Sequence, residues 1–288
     1  MKRSREGHAG EGPSNRKKQK KKEIAPYGNY HRYYGYRAPR QNDPRVDAMD
    51  PTWFKDGAVL DIGCNAGNVT LRIAAHFDPS HALGIDIDPR LIHNARKAMD
   101  RMVQSKLRRQ QDSSPAASEE HTKIQENIKD EDLSSNKQEK GYVARFPQNI
   151  QFKTTNFVSE ECSITGENQY DVILCLSVSK WIHLNWGDAG LMTLFTKTFQ
   201  LLRPGGRFIF EPQPWDSYKK KKTVSETTKA NFVAINIRPK DFSRVLLEEV
   251  GFEQVTELDL DREQRGSFSQ RPVFVFTKPM AKIPPESE

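Results

Sequence analysis

Asp61, Gly63 and Gly67 stand in the spacing D-x-G-x-x-x-G inside the stretch VLDIGCNAGNVTL, residues 59–71. An apolar strand, Ala58-Val59-Leu60, leads into the aspartate, and a helix is expected from about Asn68. Glycines at such a turn let the backbone bend tightly and approach a ligand, and the helix start turns unpaired N–H groups toward it. The spacing differs from the dinucleotide fingerprint G-x-G-x-x-G, which argues against a nicotinamide cofactor. Further on, Asp86 stands near the end of a second apolar run, His81–Asp88, where doubly wound folds set an acid on a ribose. A carboxylate accepts from both vicinal hydroxyls, so loop and acid together point to a nucleoside-containing ligand. For the loop alone, a plain packing turn is the competing reading. Asp88 precedes Pro89 and reads as a helix N-cap.

Two further groups of residues have the right types for phosphate. The segment YGNYHRYYGYR, residues 27–37, holds five of the chain's eight tyrosines. Its glycines and the following Pro39 disfavour a helix, and tyrosine, apolar on its face and polar at its tip, suits a half-buried lid. Arg32 and Arg37 present paired N–H donors to phosphate oxygens. An arm packed on the domain for stability alone is the competing reading. Lys180 follows the apolar run Tyr170–Ser177, in the segment Val178–Trp186; its competing reading is a surface lysine. Trp181 and Trp186 read as packing residues, and His183 as a satisfied structural histidine.

The elements that must position these groups alternate between strand and helix. Strands are expected at 58–60, 81–88, 149–157, 170–177 and 207–211, with helices from about 68 to 76, 90 to 102 and 188 to 202. A short helix around 45–49, a helix at 243–250 stopped by Gly251, and closing strands at 254–260 and 271–278 complete the pattern. This predicts an α/β fold, an open, mostly parallel, doubly wound sheet with ligands outside the strand C-termini. Gly63–Gly67, Asp86, Asn156-Phe157, Leu176–Lys180 and Glu211–Trp215 all fall on that one edge.

Composition bounds the rest. In 288 residues, 35% are hydrophobic, net charge is +7 and mean hydropathy is −0.78, so one core domain with long non-core segments is expected. Residues 1–26 read as a disordered basic tail whose run Arg16–Lys22 resembles a nuclear-localisation signal or an RNA-attracting arm. The domain is expected over 27–279, with a disordered polar insertion at about 105–141 and a polar tail at 280–288. Cys64, Cys162 and Cys175 lie far apart with no C-x-x-C pair, which argues against a disulfide framework and a zinc site and fits a reducing compartment. No metal site is expected. Lacking an apolar run of membrane length or a signal-peptide core, the sequence reads as an intracellular soluble protein.

The glycine loop resembles motif I of class I S-adenosylmethionine-dependent methyltransferases. With the arm YGNYHRYYGYR, GIDIDPRLIHNAR, LSVSKWIHLNWGD, LRPGGRFIFEPQPW and IRPKDF, the chain resembles the 5′-γ-methylphosphate RNA capping enzymes, the Bin3-type domain, over roughly 27–100 and 146–279. That resemblance implies methyl transfer from S-adenosylmethionine to the terminal phosphate of a 5′-triphosphate RNA, typically a small nuclear RNA. It implies Tyr34, Arg45, Gly63, Cys64 and Asn65 at the cofactor, with Asp86 and Ile87 at the ribose. Asn156 and Phe157 would border the adenine and Leu176 the pocket edge. Tyr33, Arg37 and Lys180 would face the triphosphate; Trp181, His183 and Arg238 also match the family. A terminal phosphate is mostly ionised near neutral pH, so no general base is expected. A nuclear location, read from the basic run 16–22, a monomeric fold and ribonucleoprotein proteins as further partners are expected. A 5′-monophosphate or base methyltransferase, and a non-catalytic RNA-binding component that keeps the fold, are the alternatives.

Overall fold

A computed structural model describes residues 25–30, 43–113, 145–260 and 271–281. Tyr33, Tyr34, Arg37, the basic run 16–22, most of the 105–141 segment and the tail from 282 lie outside the described residues.

Among the described residues, seven strands form one sheet: β1 (Ala58–Ile62), β2 (His81–Asp86), β3 (Ile150–Thr154), β4 (Tyr170–Leu176), β5 (Leu202–Glu211), β6 (Gln254–Glu257) and β7 (Phe274–Thr277), in the order β3-β2-β1-β4-β5-β7-β6. The pairings from β3 through β5 are parallel, and β7 is antiparallel to both β5 and β6. The chain reverses from β1 outward to β2 and β3, then returns to β4 on the other side of β1. The ends of β1 and β4 therefore bound a crevice at the point where such sheets bind ligands.

Apolar side chains alternate along the central strands because successive residues point to opposite faces. Val59, Val172 and Leu174 join one core with Ile73 and Ile92, whereas Leu60, Ile62, Ile173 and Cys175 join a second core with Leu194, Phe195, Phe208 and Phe210. Both faces are covered, which is why β4 reads as a nearly continuous apolar run, interrupted at Asp171. Burial of each such side chain contributes roughly 1.5–3 kcal/mol, enough in sum to hold the strand ends in place.

The helices are α1 (Pro44–Asp47), α2 (Asn68–His76), α3 (Pro89–Ser113), α4 (Ser179–Leu201), α5 (Trp215–Lys219), α6 (Glu226–Ala234) and α7 (Phe242–Arg244), the last continued by a π turn to Val250. Several bounds differ from the sequence expectation. The third helix runs to Ser113 rather than Met102, because Ser105–Gln111 (SKLRRQQ) is made largely of good helix formers. The fourth begins at Ser179 rather than Asp188, and a break at Gly187 (φ 63, ψ −164) divides it. Buried side chains, polar Ser179, Lys180 and His183 among them, ring its first turns, so no single apolar stripe announces it. The first helix ends at Asp47 and the closing strands are shorter, at 254–257 and 274–277. No helix among the described residues is long and apolar enough to cross a membrane.

Candidate active site

The turn after β1 is shaped by backbone conformation first. Gly63 (φ +75) and Gly67 (φ +78) occupy the left-handed region, and Asn65 joins them at φ +53. A side chain at Gly63 would overlap Val178, with Cβ 2.3 Å from its Cγ2, and one at Gly67 would press into Phe152 and Ala95. The glycines thus let this turn pack against the start of α4 and against β3, besides turning the chain. Beneath it, buried Asp61 accepts a hydrogen bond from Thr70 Oγ1 at 2.6 Å, and burial pushes its carboxyl up to about 6.

Asp86 closes β2 beside this turn. Its Oδ2 accepts the Asn65 N–H at 3.0 Å and its Oδ1 the Asp88 N–H at 2.9 Å. Burial raises its carboxyl above the ordinary range; the two N–H groups oppose that rise, and the Asp88 charge adds to it. Asp88 caps α3 by accepting the Arg90 N–H at 2.8 Å, as the residue order Asp-Pro predicts.

Between these elements lies a cleft that opens to solvent, with about 740 Å³ of space counted together with its open mouth. Gly63, Asn65, Asp86, Ile87, Asn156, Phe157 and Leu176, all expected from the sequence, line it together. Ser177 and Val178, within the segment Leu176–Lys180 that the sequence sets on this edge, also line it. Asn29 and Trp186 are further walls that the sequence did not mark: Asn29 lay within the tyrosine-rich arm without being singled out, and Trp186 read as a packing residue.

Two expected residues stand behind the cleft rather than on its wall. Cys64 is buried, with desolvation holding its thiol well above the ordinary range. Arg45 is 1% exposed: Nη2 meets Asp43 Oδ2 at 2.6 Å, Nε meets Asp43 Oδ1 at 3.0 Å, and Nη1 pairs with Glu211 Oε2. A cation can stay buried only when paired in this way. The same Glu211 accepts from Ser177 Oγ at 2.6 Å and from Arg271 Nη1 at 3.2 Å, and Gln213 donates to the Ser177 carbonyl. Ser177 sits at φ +65, a conformation that persists in a serine only where its surroundings fix it. The buried network therefore sets the turn from β4 into α4.

That turn delivers Lys180. It is 5% exposed, its backbone N–H bonds Gln213 Oε1 at 3.0 Å, its Nζ meets Ser217 Oγ at 2.7 Å, and it lies 4.5 Å from the Trp181 ring centre. The surface-lysine reading is overturned by that burial. Ser217, on α5, is a partner that no local sequence signal marks. From Lys180 a series of cations and aromatic rings continues outward. Trp181 meets Tyr30 edge-on at 5.9 Å, Lys221 lies 5.3 Å over Tyr30, and Lys222 lies 5.1 Å over Phe232. Phe232 stacks on Trp215 at 4.8 Å, and Arg238 covers Trp215 at 5.1 Å.

His183 is buried with both ring nitrogens partnered, Nε2 to Asp188 at 2.7 Å and Nδ1 to the Tyr218 hydroxyl at 3.3 Å. Burial lowers its pKa, and Asp188 partly opposes this. Asp188 also receives the Asn236 N–H at 2.9 Å, so the pair ties the break in α4 to the segment after α6. Among the described residues no group of three or more His, Cys, Asp or Glu side chains is arranged to hold a metal.

Comparison with known proteins adds to this geometry. The family model described as Bicoid-interacting protein 3 (Bin3) matches residues 170–278, and that of the methyltransferase domain matches 60–208. A probable RNA methyltransferase of Arabidopsis thaliana is 39% identical over 269 residues, covering 91% of this chain and 83% of the plant protein. The U6 snRNA methylphosphate capping enzyme Amus of Drosophila melanogaster is 36% identical over 259 residues, covering 88% of this chain and 74% of the fly protein. The 7SK snRNA methylphosphate capping enzyme of Mus musculus is 39% identical over 270 residues, covering 88% of this chain and 40% of the mouse protein. This chain thus spans about two fifths of the length of that mouse relative.

Proposed function

The chain belongs to the Bin3 family of RNA methyltransferases, with a class I S-adenosylmethionine-dependent methyltransferase fold, and from that premise we propose its reaction. It transfers a methyl group to the γ-phosphate of a 5′-triphosphate small non-coding RNA, acting as a monomer in the nucleus alongside ribonucleoprotein proteins.

The cleft fits the cofactor. A buried carboxylate that still has acceptor capacity at each oxygen suits a ribose, and the apolar walls Ile87, Phe157 and Leu176 suit a purine. Gly63, Asn65 and Asp86 would hold the ribose side and Asn156 and Phe157 the base, with Tyr34 joining from the arm. Arg45 would act through Asp43 and Glu211, which lock the turn beside the cleft. Bound S-adenosylmethionine supplies a methyl group on a cationic sulfur, which departs as a neutral thioether when a phosphate oxygen takes the methyl.

The protein's own part is to bring that oxygen into line and to hold its charge. The oxygen is already ionised near neutral pH, so no side chain has to remove a proton. Lys180, with Tyr33 and Arg37 of the arm, would hold the phosphates. Lys180 is buried and pinned on Ser217, so little side-chain freedom remains to be lost when it meets an anion. That pre-positioned cation, on the same sheet edge as the nucleoside cleft, is the observation that carries the reading. The cation–aromatic series outward from it suits the following nucleotides. Relatives named for U6 and for 7SK RNA differ in the RNA they cap, which favours recognition centred on the shared 5′ end.

The test is an acceptor panel of one RNA carrying a 5′ triphosphate, a monophosphate or a hydroxyl. Transfer to the triphosphate form alone is expected. Preference for the monophosphate would reassign the acceptor, and binding of all three without transfer would favour the non-catalytic RNA-binding alternative.

A further inference from the structure

We infer that Asn29 is a positioning residue for the cofactor, its side-chain oxygen accepting a hydrogen bond from the nucleoside half of the ligand. This rests on the cofactor reading above and assigns a residue of the N-terminal arm to it.

Residues 25–30 cross the cleft as a strap fixed on either side of Asn29. Before it, the Pro26 carbonyl accepts from Asn185 Nδ2 at 3.0 Å, and the Tyr27 ring stacks on Trp186 at 5.8 Å. Gly28 lies so close to Trp181 that a Cβ there would come within 2.0 Å of the indole nitrogen. After it, the Tyr30 carbonyl accepts from Asn65 Nδ2 at 3.3 Å, which ties the strap to the glycine turn.

Asn29 itself lines the cleft and donates from Nδ2 to Asp88 Oδ2 at 2.6 Å. That bond fixes which way the amide points, since a flipped amide would set its oxygen against a carboxylate. The oxygen, Oδ1, is then a buried acceptor without a partner among the described residues. A buried polar atom in that condition is rare and costly, and its cost is removed by a ligand that brings a donor. The neighbourhood selects the ligand's nucleoside half. Asp88 also gives its backbone N–H to Asp86, the carboxylate at the ribose position, so Asn29 belongs to that end of the cleft. The donors available there are the ribose hydroxyls and the adenine amino group. Asn29 thereby couples seating of the strap to occupancy of the cleft.

The experiment measures dissociation constants by calorimetry for the full chain, as wild type, Asn29→Ala and Tyr27→Ala. The ligands are S-adenosylhomocysteine, its 2′-deoxy and 3′-deoxy analogues, and the inosyl analogue that lacks the amino group. Asn29→Ala is expected to weaken S-adenosylhomocysteine about five- to tenfold, as for loss of one hydrogen bond with a desolvated partner. Against the analogue lacking the matching donor, wild type and Asn29→Ala should bind alike. Tyr27→Ala loosens the strap without removing the acceptor, so its loss should be common to all four ligands. The inference is overturned if Asn29→Ala binds S-adenosylhomocysteine as wild type does, or if its penalty is the same for every analogue. If wild type fails to bind S-adenosylhomocysteine at all, the cofactor reading falls, and this inference with it.

Discussion

Lys180 and Asp61 show how burial gives one residue a function and another a cost. Lys180 is held by Ser217, Gln213 and Trp181 and is not among the residues that line the cleft proposed for the nucleoside. Lys180→Ala should therefore leave S-adenosylhomocysteine affinity within about twofold while lowering methyl transfer to RNA at least a hundredfold, the scale of a lost charge-stabilising donor. Equal loss of cofactor affinity and transfer would assign the lysine to the cofactor instead. Asp61 is a matter of stability. Its carboxyl is pushed from 3.8 to about 6 by burial, so between those values the folded chain holds a proton that the unfolded chain has released. Stability from this group is fully present below pH 4 and is lost as pH rises through 6. Asp61→Asn keeps the Thr70 contact and removes the titration. Each tenfold difference in proton affinity between folded and unfolded chain is worth about 1.4 kcal/mol, so urea denaturation from pH 4 to 7 should show the variant gaining on wild type by about 2 kcal/mol. A constant difference across that range would show that Asp61 does not titrate there.

At the scale of elements, the site is a set of turns held by their neighbours. Gly63→Ala meets two obstacles, a left-handed backbone and Val178 Cγ2. It should destabilise the fold by about 1–3 kcal/mol from the backbone alone, with more from the overlap. Adding Val178→Ala should restore only the steric part in thermal unfolding; full restoration would mean that the backbone conformation costs nothing. The α5–α6 connection makes a separate prediction. Changing Lys221 and Lys222 together to Ala should raise KM for a long 5′-triphosphate RNA and flatten its salt dependence by about two charges. It should leave kcat, and KM for a short oligonucleotide, near wild type. An effect on kcat alone would place these lysines in the chemistry rather than along the strand.

The same elements explain what could be read in advance. The central strands were legible because burial on both faces leaves an apolar run, and Asp86 and Asn156-Phe157 because parallel strands end on one edge. The start of α4 was not, because Lys180, His183 and Asn185 interrupt its apolar positions and find partners in the distant Ser217, Tyr218 and Pro26. The position of Arg45 was hidden for a similar reason: Glu211, 166 residues away, is its partner. Pairings of this length leave no local pattern.

Across the whole molecule, two candidate ligand regions meet at one edge of a single sheet. The cleft proposed for the nucleoside opens between β1, β2 and β4, and the cation–aromatic series leaves from the adjoining start of α4 toward α6. A net charge of +7 favours encounter with a polyanion without choosing its sequence. The arrangement suits the proposed methylation at an RNA end, where a flexible phosphate chain could enter beside the cofactor while the bases remain outside. The most direct test is to locate the transferred methyl group. A 5′-triphosphate RNA is labelled with methyl-tritiated S-adenosylmethionine and the full chain, then digested to nucleotides and resolved by mass. The account predicts label on the 5′-terminal nucleotide alone, as a γ-methyl ester of its triphosphate. Label on a ribose, on a base or on an internal nucleotide would contradict it.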